Sequence, residues 1–160
     1  KGIILPNLKT YQALSKVKKT IKNDQNILNI ETKKSLEYAA NRWLINTRLM
    51  ASAAKEFDIE YYTFLQPTFG LDNTSIAETD DLNNKFPKLN NLYLKKINYL
   101  YSYLRKFCDK LTYCFDISNY KFLNQNSDLY TDPRHLNFQG NKYMAEIMME
   151  MLYPKVKKKK

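Results

Sequence analysis

Asp132 and His135 are the residues of this chain best suited to chemistry. His135 is the only histidine among 160 residues, and imidazole is the side chain whose ordinary pKa lets it take up and return a proton near neutral pH. A carboxylate three positions before it can accept a hydrogen bond from one ring nitrogen. That bond fixes the tautomer, leaves the other nitrogen as a base and stabilises the imidazolium as it forms. Both residues belong to the polar stretch Ser127-Asp128-Leu129-Tyr130-Thr131-Asp132-Pro133-Arg134-His135-Leu136-Asn137-Phe138-Gln139-Gly140, which runs into an apolar helix pattern from Tyr143 to Leu152. Asn137 reads as the N-cap of that helix and Gly140 as a position of close packing. The competing structural reading has Asp132 capping the turn at Pro133, Arg134 pairing a carboxylate and His135 satisfied by a backbone carbonyl.

A base of this kind needs a nucleophile. The serines are Ser15, Ser35, Ser52, Ser75, Ser102, Ser118 and Ser127, and none sits where a strand turns sharply into a helix and exposes an activated hydroxyl. The two cysteines, Cys108 and Cys114, are too few for a disulfide framework and lack metal-ligand spacing. They read as packing groups in a helix and a buried strand. No metal or organic cofactor is implied, and the compartment stays open.

The elements that must position Asp132 and His135 follow from periodicity. Gly2 to Pro6 reads as the end of a strand, and Asn7 as the cap of a helix carrying Tyr11, Leu14, Val17 and Ile21. From Thr32 to Phe57, the residues Leu36, Ala40, Trp43, Thr47, Met50, Ala54 and Phe57 recur at steps of three and four, which predicts a long amphipathic helix with these on its core face. Asp58 ends it, and Ile59 to Leu65 reads as a strand stopped at Gln66-Pro67. Residues 67 to 88 have turn composition. A second helix is predicted from about Leu89 to Leu111, with Leu89, Tyr93, Ile97, Leu100, Leu104, Phe107 and Leu111 inward. Tyr113 to Ile117 reads as a buried strand. The methionine stripe of the last helix, Met144, Met148 and Met151 with Ile147 and Leu152, reads as core.

Helix alternating with strand is the pattern of an open α/β fold with parallel strands and helical crossovers. Three amphipathic helices against two confident strands leave apolar surface without a partner. The sequence therefore asks for more sheet, supplied by an upstream segment or by another chain. Domain organisation reads as one domain over residues 1–154, N-terminally incomplete, and a disordered lysine-rich tail over 155–160.

The charge narrows the partners. Lysine and arginine number 26 against 16 acids, for a net +10, but Lys155 and Lys157 to Lys160 supply half of that excess. The remaining lysines are scattered or at helical spacing, which is a solvated surface rather than a nucleic-acid footprint. No apolar run approaches the roughly 18 residues that a membrane span requires.

Asp132-x-x-His135, followed by Asn137, Gly140 and a helix, resembles the last conserved block of the SGNH (GDSL-type) hydrolases. Trp43 through Asn46, Met50 and Phe57-Asp58-Ile59 to Phe64-Leu65-Gln66-Pro67 is similar to the helix and following strand of some members, so the resemblance covers about residues 40 to 152. It implies a flavodoxin-like three-layer α/β/α fold and hydrolysis of esters, among them acyl groups on carbohydrates or lipids. It further implies His135 as general base, Asp132 as its orienting acid and a serine nucleophile. Gln66, at the end of its strand, reads either as a residue at the rim of the substrate site, where open α/β sheets bind ligands, or as a polar residue before a proline turn. The family's serine, glycine and asparagine blocks have no counterpart here; Ile21-Lys22-Asn23-Asp24 lacks the glycine and follows a helical pattern instead of a strand. The expectation is the C-terminal portion of a serine ester hydrolase whose nucleophile lies outside these residues. The alternative is a binding module that retains the architecture without the chemistry.

Overall fold

A computed structural model describes residues 28–73, 84–87 and 89–157. The strand expected at Gly2 to Pro6, the helix expected after Asn7 and the middle of the 67–88 loop lie outside the described residues.

The first helix, α1 (Ile30–Glu56), begins at Asn29, whose side-chain oxygen accepts a hydrogen bond from the Thr32 amide at 2.7 Å. It stops because Asp58 takes the left-handed conformation, φ 54°. The Ile59 amide then reaches back to Ala54 O at 2.8 Å and the Asp58 amide to Lys55 O at 3.2 Å, a Schellman closure with Asp in the place glycine usually holds. Strand β1 (Thr63–Leu65) follows, shorter than the Ile59 to Leu65 expected. Helix α2 (Asn91–Cys108) is capped by Asn90, whose oxygen accepts from the Tyr93 amide, and leads to β2 (Cys114–Asp116).

β1 and β2 pair in parallel, Thr63 with Cys114, Phe64 with Phe115 and Leu65 with Asp116. Alternate residues of β1 face opposite ways. Leu65 joins Ala40 and Trp43 of α1 and Leu94, Ile97, Tyr101 and Leu104 of α2 in one core cluster. Phe64 stacks on Phe115, centroids 5.3 Å apart, and packs in a second cluster with Tyr143, Met144, Ile147, Met148 and Met151 of the last helix, α4 (Phe138–Lys157). Helices thus cover both faces of a parallel pair, an α/β arrangement with the methionine stripe in its core. Helix α4 extends to Lys157, into the lysine-rich tail.

Two expectations are corrected. Cys108 and Cys114 form a disulfide, with Cα atoms 5.2 Å apart. The end of α2 and the start of β2 are brought side by side by the turn between them, a spatial fact that residue counts do not reveal. And the core face of α1 does not run its full length: Ala40 and Thr47 are buried, but Met50 is 57% and Phe57 75% exposed. The reason is length. α1 has 27 residues and α2 only 18, so the end of α1 runs past the helix that would cover it.

Between β2 and α4 the polar loop is ordered by short elements. A 3-10 turn (Ile117–Asn119), the helix α3 (Lys121–Gln125) and a second 3-10 turn (Ser127–Leu129) lead into β3 (Tyr130–Asp132) and β4 (His135–Leu136). These two strands pair antiparallel, Tyr130 with Leu136 and Asp132 with His135.

Candidate active site

The β3–β4 hairpin makes Asp132 and His135 a cross-strand pair flanking Pro133-Arg134. Asp132 Oδ2 lies 2.7 Å from His135 Nδ1. Its other oxygen accepts from the backbone amides of Arg134, at 2.8 Å, and His135, at 3.1 Å. The carboxyl group is held below its ordinary pKa, first by the Arg134 amide and next by the His135 ring, because each hydrogen bond favours the charged form. An ionised Asp132 accepts from Nδ1–H, which assigns the lone pair to Nε2. Among the described residues Nε2 has no hydrogen-bond partner, and the His135 side chain is 74% exposed.

The hairpin is fastened to the rest of the fold on both sides. Pro133 O accepts from the Phe69 amide at 2.9 Å and from the Tyr93 hydroxyl at 3.5 Å. Asn137 caps α4 by accepting from the Gly140 amide at 3.0 Å, and its side-chain nitrogen donates to Asp128 O. Its backbone amide donates to Leu129 O at 2.8 Å. Gly140 sits against that carbonyl, where a Cβ would come within 2.4 Å of Leu129 O and 2.8 Å of Leu136 Cδ2. Both roles expected of Asn137 and Gly140, cap and close approach, are present.

His135 lines a cavity of about 350 Å³ together with Gln66, Thr68, Ile97, Leu100, Tyr101, Leu104 and Arg134. Gln66 and His135 are thus brought to one place, at the carboxyl end of β1 where open α/β sheets bind ligands. Tyr101 donates to Gln66 O at 2.8 Å, so its contact with Thr68 Oγ1 at 2.9 Å has Thr68 donating. This buried pair pins the backbone at the end of β1. Burial raises the pKa of Tyr101, which keeps the phenol protonated as the donor. Arg134 pairs with no carboxylate among the described residues; its guanidinium stands over the Tyr93 ring, 5.9 Å from the centroid. Tyr93, Tyr101 and Arg134 around the histidine were not foreseen as site residues. Their only signal in the sequence was aromatic and basic character at positions that also suit packing.

Two neighbouring groups do other work. Arg105 grips Asp72 through both terminal nitrogens at 2.7 and 2.9 Å, and donates to Ser118 Oγ and Ser118 O. Ser118 Oγ in turn donates to Asp116, so its hydroxyl is committed to tying the end of β2 to the loop after β1. The Ser102 hydroxyl donates to Tyr99 O. Among the described residues no serine hydroxyl bonds to His135, and no cluster of acids, histidine and cysteines could hold a metal ion. Within them, too, no helix is long and apolar enough to cross a membrane. A larger cavity, about 760 Å³, lies by Tyr61 and Tyr113 at the opposite ends of the strands, and no histidine lines it. Comparison with family models, curated proteins and solved structures finds no match to this chain.

Proposed function

We propose that the chain is the acid–base portion of a serine ester hydrolase of the SGNH type, built on a flavodoxin-like α/β/α sandwich. His135 is its general base and Asp132 the acid that orients it, and the substrate is an ester such as an acylated carbohydrate. The observation that carries this reading is the 2.7 Å contact between Asp132 Oδ2 and His135 Nδ1, with Nε2 open beside a cavity. Such a histidine takes the proton of a serine hydroxyl as the hydroxyl attacks the ester carbonyl. It later returns the proton to the leaving alcohol. No described serine bonds to His135, and Ser118 is otherwise engaged; because the family's serine block has no counterpart in this sequence, the nucleophile in this reading is a serine outside residues 1–160.

The test is ester turnover by the full-length polypeptide. His135→Ala is expected to abolish it while leaving the fold intact, and undiminished turnover in that variant would contradict the assignment.

One observation favours a second reading, a binding module that kept the architecture without the chemistry: among the described residues no serine hydroxyl bonds to His135. It predicts that no serine of the full-length protein reacts with an activated organophosphorus ester.

A further inference from the structure

The cavity beside His135 has a chemical polarity that the ester-hydrolase reading alone does not explain. Ile97, Leu100 and Leu104 of α2 give it an apolar side, and Gln66, Thr68, Tyr101 and Arg134 its polar groups. Among the described residues no acidic side chain lines it. The nearest carboxylate in sequence, Asp132, is already engaged by three donors, the His135 ring and two backbone amides. Arg134 is therefore a cation without a carboxylate partner among the described residues, presented beside the base. Arg105 shows the contrast within the same molecule, since its guanidinium is saturated by Asp72 and Ser118.

The position of Arg134 is also fixed. Its amide donates to Asp132 Oδ1, the carbonyl before it accepts from Phe69 N, and its guanidinium rests over the Tyr93 ring. A guanidinium on an aromatic face keeps its planar fork of donors ordered, and that fork matches a carboxylate or a phosphate in two-pronged geometry. At about 350 Å³ the cavity is at the lower end of the size of small-molecule sites. It is large enough for one unit of a chain and the acyl group on it.

We propose that Arg134 selects an anionic ester, one whose alcohol portion bears a carboxylate or phosphate, with the acyl group against Ile97, Leu100 and Leu104. This rests on the ester-hydrolase reading for the reaction but not for the anion contact. The two are separated by experiment. Full-length protein is assayed on O-acetylated oligogalacturonate, on an O-acetylated neutral galacto-oligosaccharide and on an O-acetylated sugar phosphate. The preference ratio, kcat/KM for an anionic ester over the neutral one, is expected to fall about 10- to 100-fold in Arg134→Gln, the scale of a lost charge-assisted hydrogen bond. Arg134→Lys is expected to retain part of it. Whichever anionic ester carries the larger ratio identifies the charged group. A ratio unchanged in Arg134→Gln overturns the role of Arg134 and leaves the esterase standing. If the wild type turns over none of the three, the esterase reading fails, and titration with unacetylated oligogalacturonate and galactose 6-phosphate decides. Binding that weakens with salt and in Arg134→Gln upholds the anion site, and absence of binding overturns it.

Discussion

Asp132 and His135 face each other across a hairpin closed by Pro133 and Arg134, with Oδ2 2.7 Å from Nδ1 while Oδ1 holds the amides of the turn itself. One carboxylate thus shapes the loop and orients the base. The two roles separate by substitution. Asp132→Asn keeps an acceptor for the amides but removes the negative charge that stabilises the imidazolium. It is expected to lower kcat by about 10³–10⁴-fold with little change in thermal stability. A variant that keeps full turnover, or loses turnover only by unfolding, would contradict this division.

The pKa of Asp132 is depressed first by the Arg134 amide and next by the His135 ring, with the His135 amide adding to both. A carboxyl whose folded pKa is lowered contributes stability that is present above its unfolded value, about 3.9, and is lost as pH falls through the folded value. Carboxyl chemical shifts followed from pH 7 downward are expected to place the Asp132 midpoint below that of an ordinary aspartate. In His135→Ala part of the depression is expected to remain, held by the two backbone amides that donate to Oδ1. A midpoint restored to the ordinary value by that substitution would show that the ring, and not the turn, controls the acid.

Gly140 is required by its neighbours. The carbonyl that a Cβ would meet, Leu129 O, cannot retreat without losing the bond it accepts from the Asn137 amide. Gly140→Ala is therefore expected to destabilise by about 1–3 kcal/mol and to loosen the hairpin that carries Asp132. A denaturant midpoint equal to that of the wild type would show that the approach is not tight.

The Cys108–Cys114 bridge closes a loop with a sequence separation of 6. Chain entropy for a loop of that size gives about 2 kcal/mol of stabilisation. Reduction is expected to lower the denaturant midpoint correspondingly without displacing Asp132 or His135, which lie on the β3–β4 hairpin away from the bridge. Free thiols detected by alkylation of the unreduced, unfolded protein would contradict the bridge.

The parts of this fold that were legible in the sequence are those in which burial repeats at a regular step. The spacing of Ala40 and Trp43, that of Tyr93, Ile97, Leu100 and Leu104, and the Met144 to Met151 stripe each mark a helix face, and each packs in the core. Periodicity fails where the partner ends, which is why Met50 and Phe57 matched the pattern of α1 and yet are exposed. It is blind to strands of two or three residues, so the β3–β4 pair that sets the Asp132–His135 geometry lay inside an expected loop. Asp-x-x-His marked the two residues, but their contact, the shared cavity with Gln66 and the perch of Arg134 on Tyr93 depend on which elements meet in space. The disulfide was missed for the same reason.

If His135 activates a serine, as proposed above, that serine's reactivity depends on it. Full-length protein is treated with a fluorophosphonate, which reacts with an activated serine hydroxyl, and the modified peptide is located by mass spectrometry in the wild type and in His135→Ala. A single labelled serine outside residues 1–160 is expected, with labelling lost in the variant. Absence of any labelled serine, or labelling that is indifferent to His135, would contradict it.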